Sequence, residues 1–139
     1  GLTIMGNTLM GLRSSGIWVD YLTHSIISGN TCIGNQQDGI LLWYCEECSI
    51  IGNTCSGNSQ GTDALQSGIC LPWGSSRNNV QQNICRRGDG EKQQAYGIDI
   101  QEGAMANVVT NNDLYQGGKL GGIRIAPYTN TVTDAGNRT

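Results

Sequence analysis

A chain of 139 residues with eight Lys and Arg against eleven Asp and Glu carries a formal charge of −3. That balance provides no basic stripe for nucleic acid, since the cationic doublet Arg86-Arg87 is followed at once by Asp89 and Glu91. No apolar run approaches the length of a membrane span, and the first residues carry no signal-peptide pattern.

Taken in chain order, the sequence is a repeat. Gly6-Asn7 is followed by Gly16-Ile17-Trp18-Val19, and Gly29-Asn30 by Gly39-Ile40-Leu41-Leu42. Gly52-Asn53 precedes Gly68-Ile69-Cys70-Leu71, Gln82-Asn83 precedes Gly97-Ile98-Asp99-Ile100, and Asn111-Asn112 precedes Gly122-Ile123-Arg124-Ile125. Gly136-Asn137 begins the pattern once more. Successive Asn positions lie 23, 23, 30, 29 and 25 residues apart, a period that belongs to a stacked solenoid.

Each repeat contains short alternating runs and no helical stripe. In Gly-Ile-x-aliphatic the two aliphatic residues share one face, and the middle residue points the other way. Trp18, Leu41, Cys70, Asp99 and Arg124 are therefore expected on an outward face. Ile4, Ile27, Ile50, Val80 and Val109 form a second inward column. Leu9, Cys32, Cys55, Cys85 and Leu114 form a third. The expected architecture is all-β, a prism of short parallel strands in about five to six coils. Gly, or Asn as the next-best residue in the left-handed region, sits where the chain bends. Stacking then places Asn7, Asn30, Asn53, Asn83, Asn112 and Asn137 about 4.8 Å apart, so their amides are expected to form a hydrogen-bonded ladder.

This Gly-Asn…Gly-Ile-x-aliphatic repeat resembles the right-handed parallel β-helix of the pectate-lyase-like superfamily over essentially the whole chain. The resemblance implies fold far more than activity, because the repeated residues are those that make the coil. That superfamily includes polysaccharide lyases, glycoside hydrolases, uronate epimerases, tail-spike depolymerases and non-catalytic surface proteins. Residues 1–139 are expected to form one β-helix domain. The pattern is already running at Gly1-Leu2-Thr3-Ile4 and still running at Gly136-Asn137. The expectation is a segment of a longer chain, or a protomer, as in a homotrimer, whose coil ends are covered by flanking domains or other subunits.

Six cysteines invite a disulfide or metal reading. Cys32, Cys55 and Cys85 share an inward column with Leu9 and Leu114, which makes them small apolar core residues first; one bridge between neighbours also fits the spacing. Cys45-Glu46-Glu47-Cys48 has the spacing of half a zinc site, but no second pair or converging His accompanies it. The lone His24 lies in the same inter-coil turn.

Function is expected where the coils are unequal. From Asn to the next Gly-Ile the gap is 9 residues in the first two coils, 15 in the third, 14 in the fourth and 10 in the fifth. The added length falls in Ser56–Ser67 and Arg86–Tyr96, at the same corner of adjacent coils, where solenoids gather binding loops. Beside them run Trp18, Trp43, Tyr44 and Trp73, aromatic surfaces suited to sugar rings. With Arg86, Arg87, Asp89 and Glu91 from the second loop, these are the candidate substrate-binding residues for a polysaccharide. The catalytic alternative, a lyase, hydrolase or epimerase, would act through Asp99, Glu102 and Arg124: carboxylates as acid and base, the cation against developing charge. A third reading is a non-catalytic shaft. The resemblance brings in calcium through the lyases' clustered aspartates, but Asp99 stands alone in its column, so no cofactor or metal is expected. The setting implied is extracellular, cell-surface or virion-associated, with no nucleic-acid or membrane partner.

Overall fold

The computed structural model describes residues 1–133 and 136–139, with Val132 and Thr133 described by their backbone. The chain winds as a right-handed solenoid of parallel strands on three faces. The first face stacks β1 (Thr3–Met5), β4 (Ile26–Ser28), β7 (Ser49–Ile51), β10 (Asn79–Gln81), β13 (Val108–Thr110) and β15 (Val132–Thr133). The second stacks β2 (Thr8–Met10), β5 (Thr31–Ile33), β8 (Thr54–Ser56) and β11 (Ile84–Arg86). The third stacks β3 (Ile17–Asp20), β6 (Ile40–Trp43), β9 (Ile69–Leu71), β12 (Tyr96–Ile100) and β14 (Gly121–Ile125).

Register follows the repeat. Ile27 pairs with Ile50 and Val80 with Val109 on the first face, Cys32 with Cys55 and Cys55 with Cys85 on the second, and Ile17 with Ile40 and Ile69 with Ile98 on the third. These columns meet in one dry core that includes Ile27, Cys55, Leu71, Ile98 and Leu114. All six cysteines are buried free thiols, so the column holds no bridge. Hydrogen bonds with Cys32 and Cys85, together with complete burial, hold the Cys55 thiol well above its ordinary range.

The expected Asn ladder is present from end to end. Each side-chain amide donates to the next side-chain oxygen at 3.0 Å, from Asn7 through Asn30, Asn53, Asn83 and Asn112 to Asn137. The residue before each of the first five takes a positive φ: Gly6 66°, Gly29 62°, Gly52 65°, Gln82 56° and Asn111 56°. A second ladder runs Asn35, Asn58, Gln94, and a third joins Asn78 to Asn107.

The glycine of each Gly-Ile pair has a different cause. A Cβ on Gly39 would lie 2.5 Å from the Gly68 carbonyl oxygen and 2.9 Å from Cys55 Sγ. The strand starts so close to its neighbour that only hydrogen fits there. Gly39→Ala is accordingly expected to cost about 2–3 kcal/mol by overpacking, whereas Gly121→Ala, whose nearest contact is 3.6 Å away, should be nearly silent in the same urea titration.

Candidate binding groove on the third sheet

The middle positions of the third sheet are in register as the repeat dictates, with Trp18 beside Leu41, Leu41 beside Cys70, Cys70 beside Asp99 and Asp99 beside Arg124. They do not form an open face. Trp18 is 58% exposed, but Leu41, Cys70 and Asp99 are buried at 8%, 3% and 3%. Gln37 and Gln66 on one side and Trp43 and Gln101 on the other are more exposed than the column between them and wall it in. The outward face is the floor of a groove.

The groove has three connected parts. A recess of about 190 Å³ at its entry is lined by Arg13, Gln36 and Gln37 and by Thr62, Leu65 and Gln66 of the long β8–β9 loop. Gln37 and Gln66 carry it into a middle section of about 280 Å³ between Trp18 and Trp43, with Asp38, Leu41 and Cys70 on the floor. Trp43, Pro72 and Gln101 continue it into a wider trough of about 550 Å³ that reaches Trp73, Glu102 and Arg124. Its path is oblique, entering over the first three coils and leaving over the second to fifth.

The aromatic rings are fixed by packing. Tyr21 stacks on Tyr44 with centroids 4.8 Å apart and planes within 7°, and Tyr44 meets Trp73 edge-on at 5.4 Å. Tyr44 and Trp73 are each seated on a glycine of the next coil. A Cβ on Gly74 would stand 2.4 Å from Tyr44, and one on Gly103 would overlap the Trp73 ring. One face of Trp73 is therefore held against backbone while the residue remains 58% exposed.

Asp99 and Arg124 are the expected pair, but not the exposed surface ion pair that alternation suggests. Arg124 Nε and Nη2 each donate to a different Asp99 oxygen at 2.6 Å, and Gln101 Nε2 adds a third bond at 3.0 Å. The guanidinium also lies 5.0 Å from the Tyr96 ring centroid. Both oxygens of Asp99 are thus occupied, and the carboxylate itself is buried. This fork, pinned on a buried carboxylate, raises the Arg124 pKa through its Asp99 hydrogen bonds. Glu102 is exposed on the trough wall.

Arg86, Arg87 and Asp89 lie elsewhere. They border a separate depression of about 260 Å³ with Ser56 and Gln116, and Glu91 is exposed on the same loop. Arg86 is spent on Asp113, which its pairing holds below the usual carboxylate range. The two long loops are zipped to one another: Lys92 Nζ donates to the Gln60 and Gly61 carbonyls at 3.0 and 3.2 Å, and Gln60 Nε2 to the Lys92 carbonyl at 2.7 Å. Lys119 closes on Asp63 from two coils further on. Only the first loop reaches the aromatic groove.

Cys45 and Cys48 are buried in their turn, and each Sγ donates to carbonyls two residues before it. Burial pushes the Cys45 thiol up to about 11. His24 pairs with Glu47 at 2.7 Å, and Arg77 bridges Glu46 and Glu47, an exposed network remote in role from the groove. Among the described residues no three Cys, His, Asp or Glu gather as metal ligands.

The alternation alone does not single out Asp38. It precedes Gly39, in register with Ser15 below and Ser67 above, and its side chain is buried on the floor of the middle section. Ser67 N–H donates to Oδ1 at 2.7 Å. Burial, reinforced by the nearby Asp99 charge, pushes its carboxyl up to about 7.

Comparison with known proteins agrees with this geometry. A family model described as a right-handed beta helix region matches residues 1–138. No curated protein matches the chain. With the match spanning the chain and every coil stacked in parallel register, the protein belongs to the right-handed β-helix family.

Proposed function

We propose that this β-helix binds an uncharged polysaccharide along the oblique groove of the third sheet. The observation that carries the reading is the groove's division of labour. Trp18, Trp43 and Trp73 offer apolar faces, that of Trp73 held against backbone, and Asp38, Gln37, Gln66 and Gln101 offer polar atoms between them. Sugar rings need both at once, an aromatic plane for their C–H faces and hydrogen-bonding groups for their hydroxyls. Charge favours a neutral chain. Among the described residues that line the trough, the one cation, Arg124, is already bound through two nitrogens to Asp99, while Glu102 brings a further carboxyl.

Recognition is favoured over cleavage through Asp99, Glu102 and Arg124. With both its oxygens bonded, Asp99 serves better as a prop for Arg124 than as a free acid or base. A polysaccharide ligand also fits an extracellular, cell-surface or virion-associated setting.

Isothermal titration with cellohexaose, laminarihexaose and mannohexaose against hexagalacturonate tests the reading. At least one neutral chain should bind more tightly than the uronate. Trp43→Ala, which removes the wall shared by both main sections of the groove, should weaken it tenfold or more. Preference for hexagalacturonate would overturn the choice of an uncharged ligand. New reducing ends during the titration would restore the enzyme reading. No binding by any of the four would leave a structural shaft.

A further inference from the structure

We propose that Asp38 is a proton-carrying contact of this groove: the sugar seated between Trp18 and Trp43 is held by the neutral carboxyl, so ligand binding takes up a proton. The proposal rests on the groove being the polysaccharide site and adds to it the group that regulates binding.

Three features of position single out Asp38. It is 3% exposed and yet lines the narrow middle section. Ser67 N–H engages Oδ1, and among the described residues no Lys, Arg or His forms an ion pair with it. Its neighbours in the column, Ser15 and Ser67, carry buried hydroxyls without a hydrogen-bond partner. These two hydroxyls are buried beneath the surface on either side of Asp38, and Asp38 itself faces the section between two indole rings.

The charges around it decide which protonation state a ligand prefers. From β9 the nearby titratable group is Cys70, and burial, with Asp38 and Asp99 adding to it, holds that thiol well above its ordinary range, so it brings no charge. From β12 comes Asp99, a carboxylate that disfavours a second negative charge. Arg124 of β14 stands beyond Asp99 and is committed to it. On the β3 side Trp18 brings no charge, and Arg13 lies in the entry recess with Gln37 and Gln66. A carboxyl so placed already holds its proton to about pH 7. A sugar laid over it removes the remaining water and raises the cost of ionisation further. The neutral form supplies an O–H donor for a ring or hydroxyl oxygen, and Oδ1 stays on Ser67 N–H.

The experiment has two arms. In the ligand-free arm, the Asp carboxyl carbons of 13C-labelled protein are titrated by NMR. One resonance, absent in Asp38→Asn, should have its midpoint near pH 7; a midpoint below pH 5 overturns the proposal and leaves the recognition reading intact. In the second arm, cellohexaose, laminarihexaose and mannohexaose are titrated at pH 6 and pH 8, in buffers of different ionisation enthalpy. For a wild-type protein that binds only when Asp38 is protonated, affinity should fall about tenfold between pH 6 and pH 8. At pH 8 the binding heat should depend on the buffer. Asp38→Asn, with its fold checked by circular dichroism, should bring the pH 6 to pH 8 ratio to about one. Measurable wild-type binding with a flat pH profile and no buffer dependence overturns the proposal, as does a tenfold ratio retained in Asp38→Asn. No binding at either pH removes the recognition reading and the proton coupling together.

Discussion

Replacing Asn53 by alanine is expected to remove about 3–5 kcal/mol of folding stability, read as a lower urea midpoint at an unchanged slope. Asn53 is fully buried in the middle of the longest ladder. Its Oδ1 accepts from both the backbone N–H and the side-chain amide of Asn30, each at 3.0 Å. Its own amide donates to the Ile27 carbonyl at 2.9 Å and to Asn83 Oδ1 at 3.0 Å. Alanine replaces none of these, and each polar group left unpaired in a dry interior costs about 1–3 kcal/mol. The coil cannot relax to recover them, because its neighbours fix it from both sides. Asn7 makes the matching bonds to Asn30 at the exposed end of the stack, where water can replace them, so Asn7→Ala should cost under about 1 kcal/mol. Equal losses for the two variants would mean that the ladder decorates the corner and does not hold it.

That ladder is legible because an Asn preceded by Gly, Gln or Asn recurs once per period, and six copies leave little choice of register. The second ladder announces itself equally well in Gly34-Asn35 and Gly57-Asn58, which keep the same 23-residue spacing. It disappears from the pattern only because Gln94 takes the third place after a longer loop. The third is hidden for a chemical reason: Ser25 and Cys48 occupy the places held by Asn78 and Asn107 in later coils. Alternation correctly sorted the third sheet into inward and outward residues, since a pleated strand leaves no other option. It had no means of showing that Leu41, Cys70 and Asp99 would be buried on the outward side. Their burial goes with the more exposed Trp43, Gln37, Gln66 and Gln101 that wall them in, a matter of side-chain size across strands distant in sequence. Loop length locates the corner where two long loops lie side by side, but not the direction their charges face. Arg86 turns to Asp113, a residue 27 positions further on. Asp38, ahead of Gly39, reads in the sequence as one more turn residue.

Asp38→Asn is expected to stabilise the protein at pH 8 by about 3–4 kcal/mol, while the two proteins differ little at pH 4. In the folded protein this carboxyl is raised to about 7 from an ordinary value of 3.8. Below the lower value both folded and unfolded chains carry the proton, and Asp38 costs nothing. Between the two values the unfolded chain has lost its proton and the folded chain keeps it, so stability falls as pH rises. The slope is about 1.4 kcal/mol per pH unit over roughly three units. Above pH 7 both states are ionised, and the full cost stands as a constant term. An amide keeps an oxygen for Ser67 N–H and has no charge to bury, so the variant should lose this slope. Thermal unfolding at pH 4, 6 and 8 would show the difference opening with pH to about 10 °C or more. A wild-type curve parallel to that of Asp38→Asn would mean that the carboxylate is well solvated or paired in the folded state, which would remove the basis for proton-coupled binding as well. Divergence would identify a carboxyl that the fold carries at a loss on the floor of a groove, where a stable amide of the same shape was one substitution away. Such a residue is better explained by what it contacts than by what it supports.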